Sequence, residues 1–146
     1  MPFVIVGMQG WRMEGFDQRV ARLIEAGQIR RLGYVTDAML PVLYSGARTF
    51  VYPSLYEGFG LPPLEAMSCG TPVIVSTRST LPEVVGDAGL QVEALDVDAL
   101  ADAMRRVIED DGLRSVLSRK GIERAAGFSW QKCAQQMAGI YRKVAA

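Results

Sequence analysis

"TFVYPSLYEGFGLPPLEAMSCGTPVIVS", Thr49 to Ser76, carries the pattern of the fold in one stretch. It opens on a β-branched and aromatic run, Thr49–Ser54, which reads as a strand closed by Pro53. Gly58 and Gly60 then allow backbone conformations closed to other residues. Pro62 and Pro63 suit a first helical turn, where no N–H partner is needed. The spacing predicts a helix from about Pro62 to Cys69, stopped by Gly70. Pro72–Ser76 is a second apolar strand. A strand, a glycine bend, a helix and a strand in this order imply a right-handed crossover between parallel strands.

The same alternation continues outward. Phe3–Gly7 reads as a short buried strand, followed by a loop over "MQGWRMEG". From Phe16 to Ala26 a helix is expected, with Phe16, Val20, Leu23 and Ile24 at helical spacing and Gly27 as its stop. Ile29–Val35 looks like the next strand. Thr36 or Asp37 is expected to cap a helix carrying Met39, Leu40, Leu43 and Tyr44 to near Gly46. Pro41 falls just beyond its first turn, where it costs a backbone bond or a slight kink. After Ser76, "LPEVVGDAGLQV" holds a short helical turn and a last strand near Leu90–Val92. Three helices close the chain: "DVDALADAMRRVIEDD", with Leu100, Met104, Val107 and Ile108 inward; "GLRSVLSRKGIERAAG"; and "SWQKCAQQMAGIYRKV", with Ser129 as N-cap. The expected class is α/β, a Rossmann-like, mostly parallel sheet flanked by helices. In such sheets ligands sit at the carboxyl ends of the strands.

Composition narrows the function. Sixteen basic and sixteen acidic residues cancel, which argues against nucleic-acid binding through a general basic face. The chain has no His, so the usual general base and any Ser-His-Asp triad are excluded. Cys69 and Cys133 form no metal-type spacing. No metal and no cofactor are expected. No basic n-region opens the chain, and its apolar runs are short of a membrane span. A cytoplasmic setting with free thiols is the expectation.

The chemistry concentrates in "EGFGLPPLE", Glu57 to Glu65. Successive N–H groups in a glycine bend form an anion-binding nest, and a helix N-terminus adds donors and the positive dipole end. Bend plus helix start is a phosphate cradle. A carboxylate grips neighbouring hydroxyls, as on a ribose or hexose. Glu57 before the bend and Glu65 in the first helical turn would flank the phosphates, in the order of a nucleotide sugar. A plainer reading stands beside this one: Glu65 complements the helix dipole, and the glycines serve only the turn. Spacing alone leaves both open.

With these residues in place, "PSLYEGFGLPPLEAMSCGTPVIVS" resembles the E-x7-E signature of the retaining glycosyltransferases of glycosyltransferase family 4. "RLGYVTDAMLPVLYSGARTFVYPS" looks like the family's preceding segment, "STLPEVVGDAGLQVEALDVDALADAM" like its following one, and "FSWQKCAQQMAGIYRKV" like its closing helix. The resemblance implies the C-terminal, nucleotide-sugar-binding half of a GT-B fold, in which two Rossmann-like domains face a cleft. It implies that Glu57 is the catalytic-site carboxylate, contacting donor-sugar hydroxyls near the reacting carbon. Glu65 would hold the ribose, and the amides of Gly58, Phe59, Gly60 and Leu61 would face diphosphate and sugar. Tyr34 and Val35 match the place where the base docks, with Asp37 beside it. Such enzymes usually need no metal, and the leaving diphosphate is often proposed to take the acceptor's proton, which suits a chain without His.

A complete family member has more than this sequence shows. The resemblance implies an acceptor-binding domain and a first strand, an Arg/Lys loop and a helix, none of which has a counterpart in residues 1–146. The expectation is a truncated nucleotide-sugar domain. Losing that Arg and Lys costs roughly 3–6 kcal/mol, at about 1.5–3 kcal/mol for each bond to a charged group. That is on the order of 10²–10⁴ in affinity, and the isolated chain is expected to lack turnover. The missing strand normally lies mid-sheet, so either its neighbours pair directly or a partner chain fills the gap. Homo-oligomerisation through the incomplete sheet is therefore expected. The implied partners are a UDP-, GDP- or ADP-linked sugar and, through the missing domain, a glycan or lipid-linked acceptor. The full-length parent is expected to work in the cytoplasm, peripheral at the inner membrane, on bacterial polysaccharide.

Other signals are weaker. "DVD", Asp96–Asp98, has the form of a metal-binding D-x-D but precedes an amphipathic helix, so N-capping is the better account. "GMQG" is too short for a dinucleotide fingerprint. Met8, Trp11 and Met13 could border the ligand cleft, but packing is the safer reading; Cys69 is read as a small buried filler, and the basic residues of "RSVLSRKGIERAAG" as a solvated face. Two alternatives remain at this point: a GT-B-fold nucleotide-sugar epimerase, and a non-catalytic nucleotide-binding or interaction module.

Overall fold

The computed structural model describes residues 2–8 and 14–145, with the side chains of 14–17 left out. It divides into two compact units, Met1–Leu40 and Pro41–Ala146.

The first unit holds β1 (Phe3–Val6), α1 (Glu14–Glu25) and β2 (Ile29–Gly33). The strands pair in parallel, Phe3 opposite Ile29, with an irregularity between Ile5 and Val6. Helix α1 stops where the sequence predicts. Gly27 sits at φ +69, its N–H bonds the Ile24 carbonyl at 2.9 Å, and Gln28 N–H bonds Leu23 at 2.9 Å. These two bonds are a Schellman closure, which a left-handed glycine permits. Two expectations need correction. Strand β1 is not buried: Phe3, Val4 and Val6 are 44%, 42% and 43% exposed. Two strands and one helix are too few to cover both faces of a sheet. Strand β2 ends at Gly33, at φ +67, so Tyr34 and Val35 follow the strand rather than finish it. Met8 is exposed; Trp11, Met13 and the side chain of Phe16 lie outside the described residues.

The second unit holds most of α2 (Leu40–Gly46), then β3 (Phe50–Tyr52), α3 (Leu61–Ser68), β4 (Val73–Ser76), α4 (Leu81–Val85), β5 (Leu90–Val92), α5 (Val97–Glu109), α6 (Asp111–Ala125) and α7 (Trp130–Val144). Pro41 is the second residue of α2 rather than a residue beyond its first turn. Its missing N–H therefore costs no helical bond. The expected caps Thr36 and Asp37 belong to a turn before α2 instead, in which Met39 N–H bonds the Thr36 carbonyl at 2.9 Å.

Strands β3, β4 and β5 form a parallel sheet in that order, with Phe50 opposite Val73 and Ile74 opposite Leu90. Central β4 is fully buried, at 0% exposure from Val73 to Ser76, as a strand covered on both faces must be. Ile74, Ala103, Val107 and Leu117 form a core cluster with Val51, Leu100 and Met104 against it. Burying each large aliphatic side chain contributes about 1.5–3 kcal/mol. Helices α3 and α6 approach closely because Gly121 has no side chain; a Cβ there would lie 3.3 Å from Met67 Cγ.

The helix starts follow the sequence. Asp96 accepts from Ala99 N–H and Asp110 from Leu113 N–H, each at 2.8 Å. Ser129 accepts from Lys132 N–H at 3.1 Å. The first aspartate of "DVD" is thus an N-cap. The basic residues of α6 do more than face solvent. Arg114 donates to the Val107 and Ile108 carbonyls at 2.8 and 2.7 Å, closing the end of α5. Arg124 donates to Val84 at 3.0 Å and to Glu83. Cys69 is half-buried, not buried.

The strands are all parallel and flanked by helices, as expected for the class. Among the described residues they form two sheets, β1-β2 and β3-β4-β5, rather than one. No helix among the described residues is long and apolar enough to cross a membrane.

Candidate functional site

The segment from Pro53 to Gly60 leaves the carboxyl end of β3 and enters α3, where ligands bind in parallel α/β sheets. Hydroxyls hold it in place. Ser76 Oγ donates to the Ser54 carbonyl. Ser79 Oγ accepts from Glu57 N–H at 3.2 Å and donates to the Glu57 carbonyl at 2.7 Å. Thr80 Oγ1 donates to the Phe59 carbonyl at 2.8 Å. Ser79 itself sits at φ +56, uncommon for a residue other than glycine. Sequence reasoning missed this clamp. Its signal was the hydroxyl-rich "STRST", Ser76–Thr80, just after β4.

Gly60 is required for the turn. It has φ +102 and ψ 46, and a Cβ there would lie 2.9 Å from Leu81 Cδ2. The amides of Gly58, Phe59, Gly60 and Leu61 follow one another with no acceptor among the described residues. Successive amides of this kind can bind an anion where they converge.

The helix contributes less than its sequence suggests. Helix α3 begins at Leu61, so Pro62 and Pro63 take its second and third positions. Two of the four orphan N–H groups of a helix start are thereby lost, and the donors come from the bend. Glu65 lies in the second turn, not the first; the first turn has no acidic residue. Dipole effects fall off within one turn, so the plainer account of Glu65 weakens.

Each glutamate meets a phenol. Tyr52 OH donates to Glu57 Oε1 at 2.7 Å, and Tyr44 OH to Glu65 Oε2 at 3.2 Å. Glu57 is half-buried and Glu65 exposed. Burial, and then the Glu57 acceptor, push the Tyr52 phenol up to about 12. Burial, and then the charge of Glu65, raise Tyr44 further. Both stay neutral donors at physiological pH. Sequence reasoning did not single out either tyrosine, because nothing in the pattern shows which ring reaches a carboxylate.

The structure thus brings Glu57, Gly58, Phe59, Gly60, Leu61 and Glu65 together on one loop and helix. Tyr34, Val35 and Asp37 belong to the first unit. There Tyr34 is 73% exposed, Val35 is half-buried, and Asp37 lies exposed in the turn before α2. The second unit also has an open depression of about 670 Å3, lined by Arg48, Pro72, Arg114 and Arg119 among others. It lies by the amino end of β4, away from the glycine bend, and its Arg114 is engaged by the end of α5.

Residues 1–124 match the family described as "Glycosyl transferases group 1". The chain belongs to the glycosyl transferases group 1 family. O-antigen chain mannosyltransferase B of Escherichia coli is 49% identical over 141 residues, 97% of this chain and 37% of that protein. The sucrose-phosphate synthase of Thermosynechococcus elongatus matches with a TM-score of 0.80 at 34% identity, over 97% of this chain and 38% of that one. HepE of Anabaena, solved with UDP, matches with a TM-score of 0.86 at 22% identity, over 98% and 41%. At that identity the likeness speaks for fold alone. This group 1 chain has an α/β fold whose structural neighbours are GT-B glycosyltransferases. It spans 37% to 41% of the length of these three proteins. Such relatives favour transfer over the epimerase alternative.

Proposed function

We propose that the chain is the donor-binding part of a retaining glycosyltransferase of family 4, moving a sugar from a nucleoside diphosphate to a glycan or lipid-linked acceptor. The observation that carries this reading is the run of amides without an acceptor among the described residues, Gly58 to Leu61, set between Glu57 and Glu65. The amides suit a diphosphate, and carboxylates on either side suit the hydroxyls of two sugars. Glu57 acts on the transferred sugar and Glu65 on the ribose; Tyr34, Val35 and Asp37 serve the base. Mannose is the sugar favoured by the names of the relatives. No metal is invoked: the amides meet the diphosphate charge, and the leaving diphosphate takes the acceptor's proton.

The acceptor side and the remaining diphosphate contacts are supplied by parts of the parent outside this chain, so the chain alone binds donor weakly and does not turn it over. Strand β3 has no strand partner other than β4 among the described residues, and pairing of a second copy there gives a dimer at high concentration. A monomer by light scattering over a wide concentration range rejects that part of the proposal. In the parent, work at the inner membrane follows from a lipid-linked acceptor.

The test is ligand-observed NMR of the protein with UDP-, GDP- and ADP-sugars, repeated on Glu65→Ala. Binding of one nucleotide sugar that Glu65→Ala abolishes supports the reading. Binding that Glu65→Ala leaves unchanged overturns it and favours a non-catalytic module.

A further inference from the structure

Tyr44, Phe50 and Tyr52 form one aromatic row. Phe50 and Tyr52 lie two residues apart on β3, on the same face of the strand, and stack at 5.7 Å and 21°. Tyr44, from α2, meets Phe50 edge-on at 5.3 Å and 87°. The hydroxyls at the two ends of this row go to the two glutamates that flank the amide run. A phenol satisfying only its own hydrogen-bonding need takes any nearby carbonyl or water. Here both phenols take a carboxylate of the same motif, one before the bend and one after it.

The consequence is geometric. Each phenol occupies one carboxylate oxygen: Oε1 of Glu57 and Oε2 of Glu65. Among the described residues no other side chain bonds either carboxylate. The second oxygen of each is left for a ligand. Carboxylate side chains otherwise sample several rotamers, and holding them in one geometry has an entropic cost that must be met before or during binding. The aromatic row meets it beforehand. Tyr44 is only 8% exposed, so its ring gives Glu65 a fixed anchor although Glu65 itself is in solvent.

We infer that Tyr52 and Tyr44 are positioning residues of the donor site, Tyr52 orienting Glu57 toward the hydroxyls of the transferred sugar and Tyr44 orienting Glu65 toward the ribose. This rests on the function proposed above. It makes a selective prediction, because one tyrosine serves the sugar and the other the nucleoside.

The experiment measures binding of GDP and GDP-mannose, and of UDP and UDP-glucose, to the unaltered protein and to Tyr52→Phe, Tyr44→Phe and Glu65→Ala. Tyr52→Phe is expected to weaken the nucleotide sugar about three- to tenfold and leave the bare nucleotide unchanged, the range of one hydrogen bond. Tyr44→Phe is expected to weaken both by a similar factor. Glu57→Gln combined with Tyr52→Phe should be no weaker than Glu57→Gln alone, since the tyrosine acts through that carboxylate. A purely structural role would lower both ligands alike and lower the unfolding midpoint, so midpoints are recorded for every variant. If binding is lost in Glu65→Ala but unchanged in both tyrosine variants, the positioning role is overturned and the donor site stands. If the unaltered protein binds none of these four probes and no ADP-sugar, both are overturned.

Discussion

Alanine at Gly60 puts a methyl group where the bend has no room for one. The residue lies at φ +102 and ψ 46, and a left-handed backbone costs an L-residue about 1–2 kcal/mol. The added Cβ would stand 2.9 Å from Leu81 Cδ2, and Leu81 is fully buried, so it has little space to retreat. Overpacking of this kind costs about 1–3 kcal/mol. Together the expected loss is about 2–5 kcal/mol, measured by urea unfolding. The two contributions separate in a cycle with Leu81→Ala. That change alone loses about 2–5 kcal/mol through the cavity it leaves. In the double variant the new methyl enters the cavity, so the losses should fall short of additivity by about 0.5–3 kcal/mol. Gly89→Ala is the control away from the bend. Its Cβ would lie 2.6 Å from Val73 Cγ2 and 2.8 Å from the Val73 carbonyl, and backbone yields less than a leucine tip. It should lose at least as much stability as Gly60→Ala. If Gly60→Ala stays within about 0.5 kcal/mol of the unaltered protein, the level of an ordinary surface change, the steric account of the bend is wrong. Strict additivity with Leu81→Ala would refute the contact in particular.

Two further outcomes are expected. Asp96→Ala should lose about 1 kcal/mol of unfolding free energy by removing the cap of α5, while Asp98→Ala changes little; equal losses would point to a shared role for the pair instead. Tyr52 has its folded-state value raised to about 12 from 10.0, so its contribution to stability is complete below about pH 10 and fades as the pH rises toward 12. The alkaline unfolding limb should therefore be shallower in Tyr52→Phe, followed by circular dichroism; superimposable limbs would show that burial and Glu57 together do not hold the Tyr52 phenol protonated in the folded protein.

Much of the fold was legible residue by residue. Glycines mark chain reversals that local sterics dictate, and Gly27 and Gly70 sit at φ +69 and +77 where a helix was expected to stop. Asp96 and Ser129 cap the helices they precede because a short side-chain acceptor reaches a backbone N–H three residues on. Strand β5, Leu90–Val92, falls where its apolar residues alternate. The expectations that needed correction depend on neighbours. Phe3, Val4 and Val6 have the composition of a buried strand but lie in a sheet too small to bury them. The start of α3 is set by the bend that Gly60 makes against Leu81, which moved Glu65 out of the first turn.

The division at the site has the same origin. The residue types and spacing of "EGFGLPPLE" were enough to mark out a glycine bend between two carboxylates, because backbone geometry at glycine and proline is a local property. Which groups hold that bend was decided by tertiary structure alone. Ser79 reaches Glu57 across 22 residues, and Tyr44 reaches Glu65 across 21. Such bonds depend on how β3 and β4 pair and how α2 meets the sheet, and chain spacing carries no record of distances set by packing.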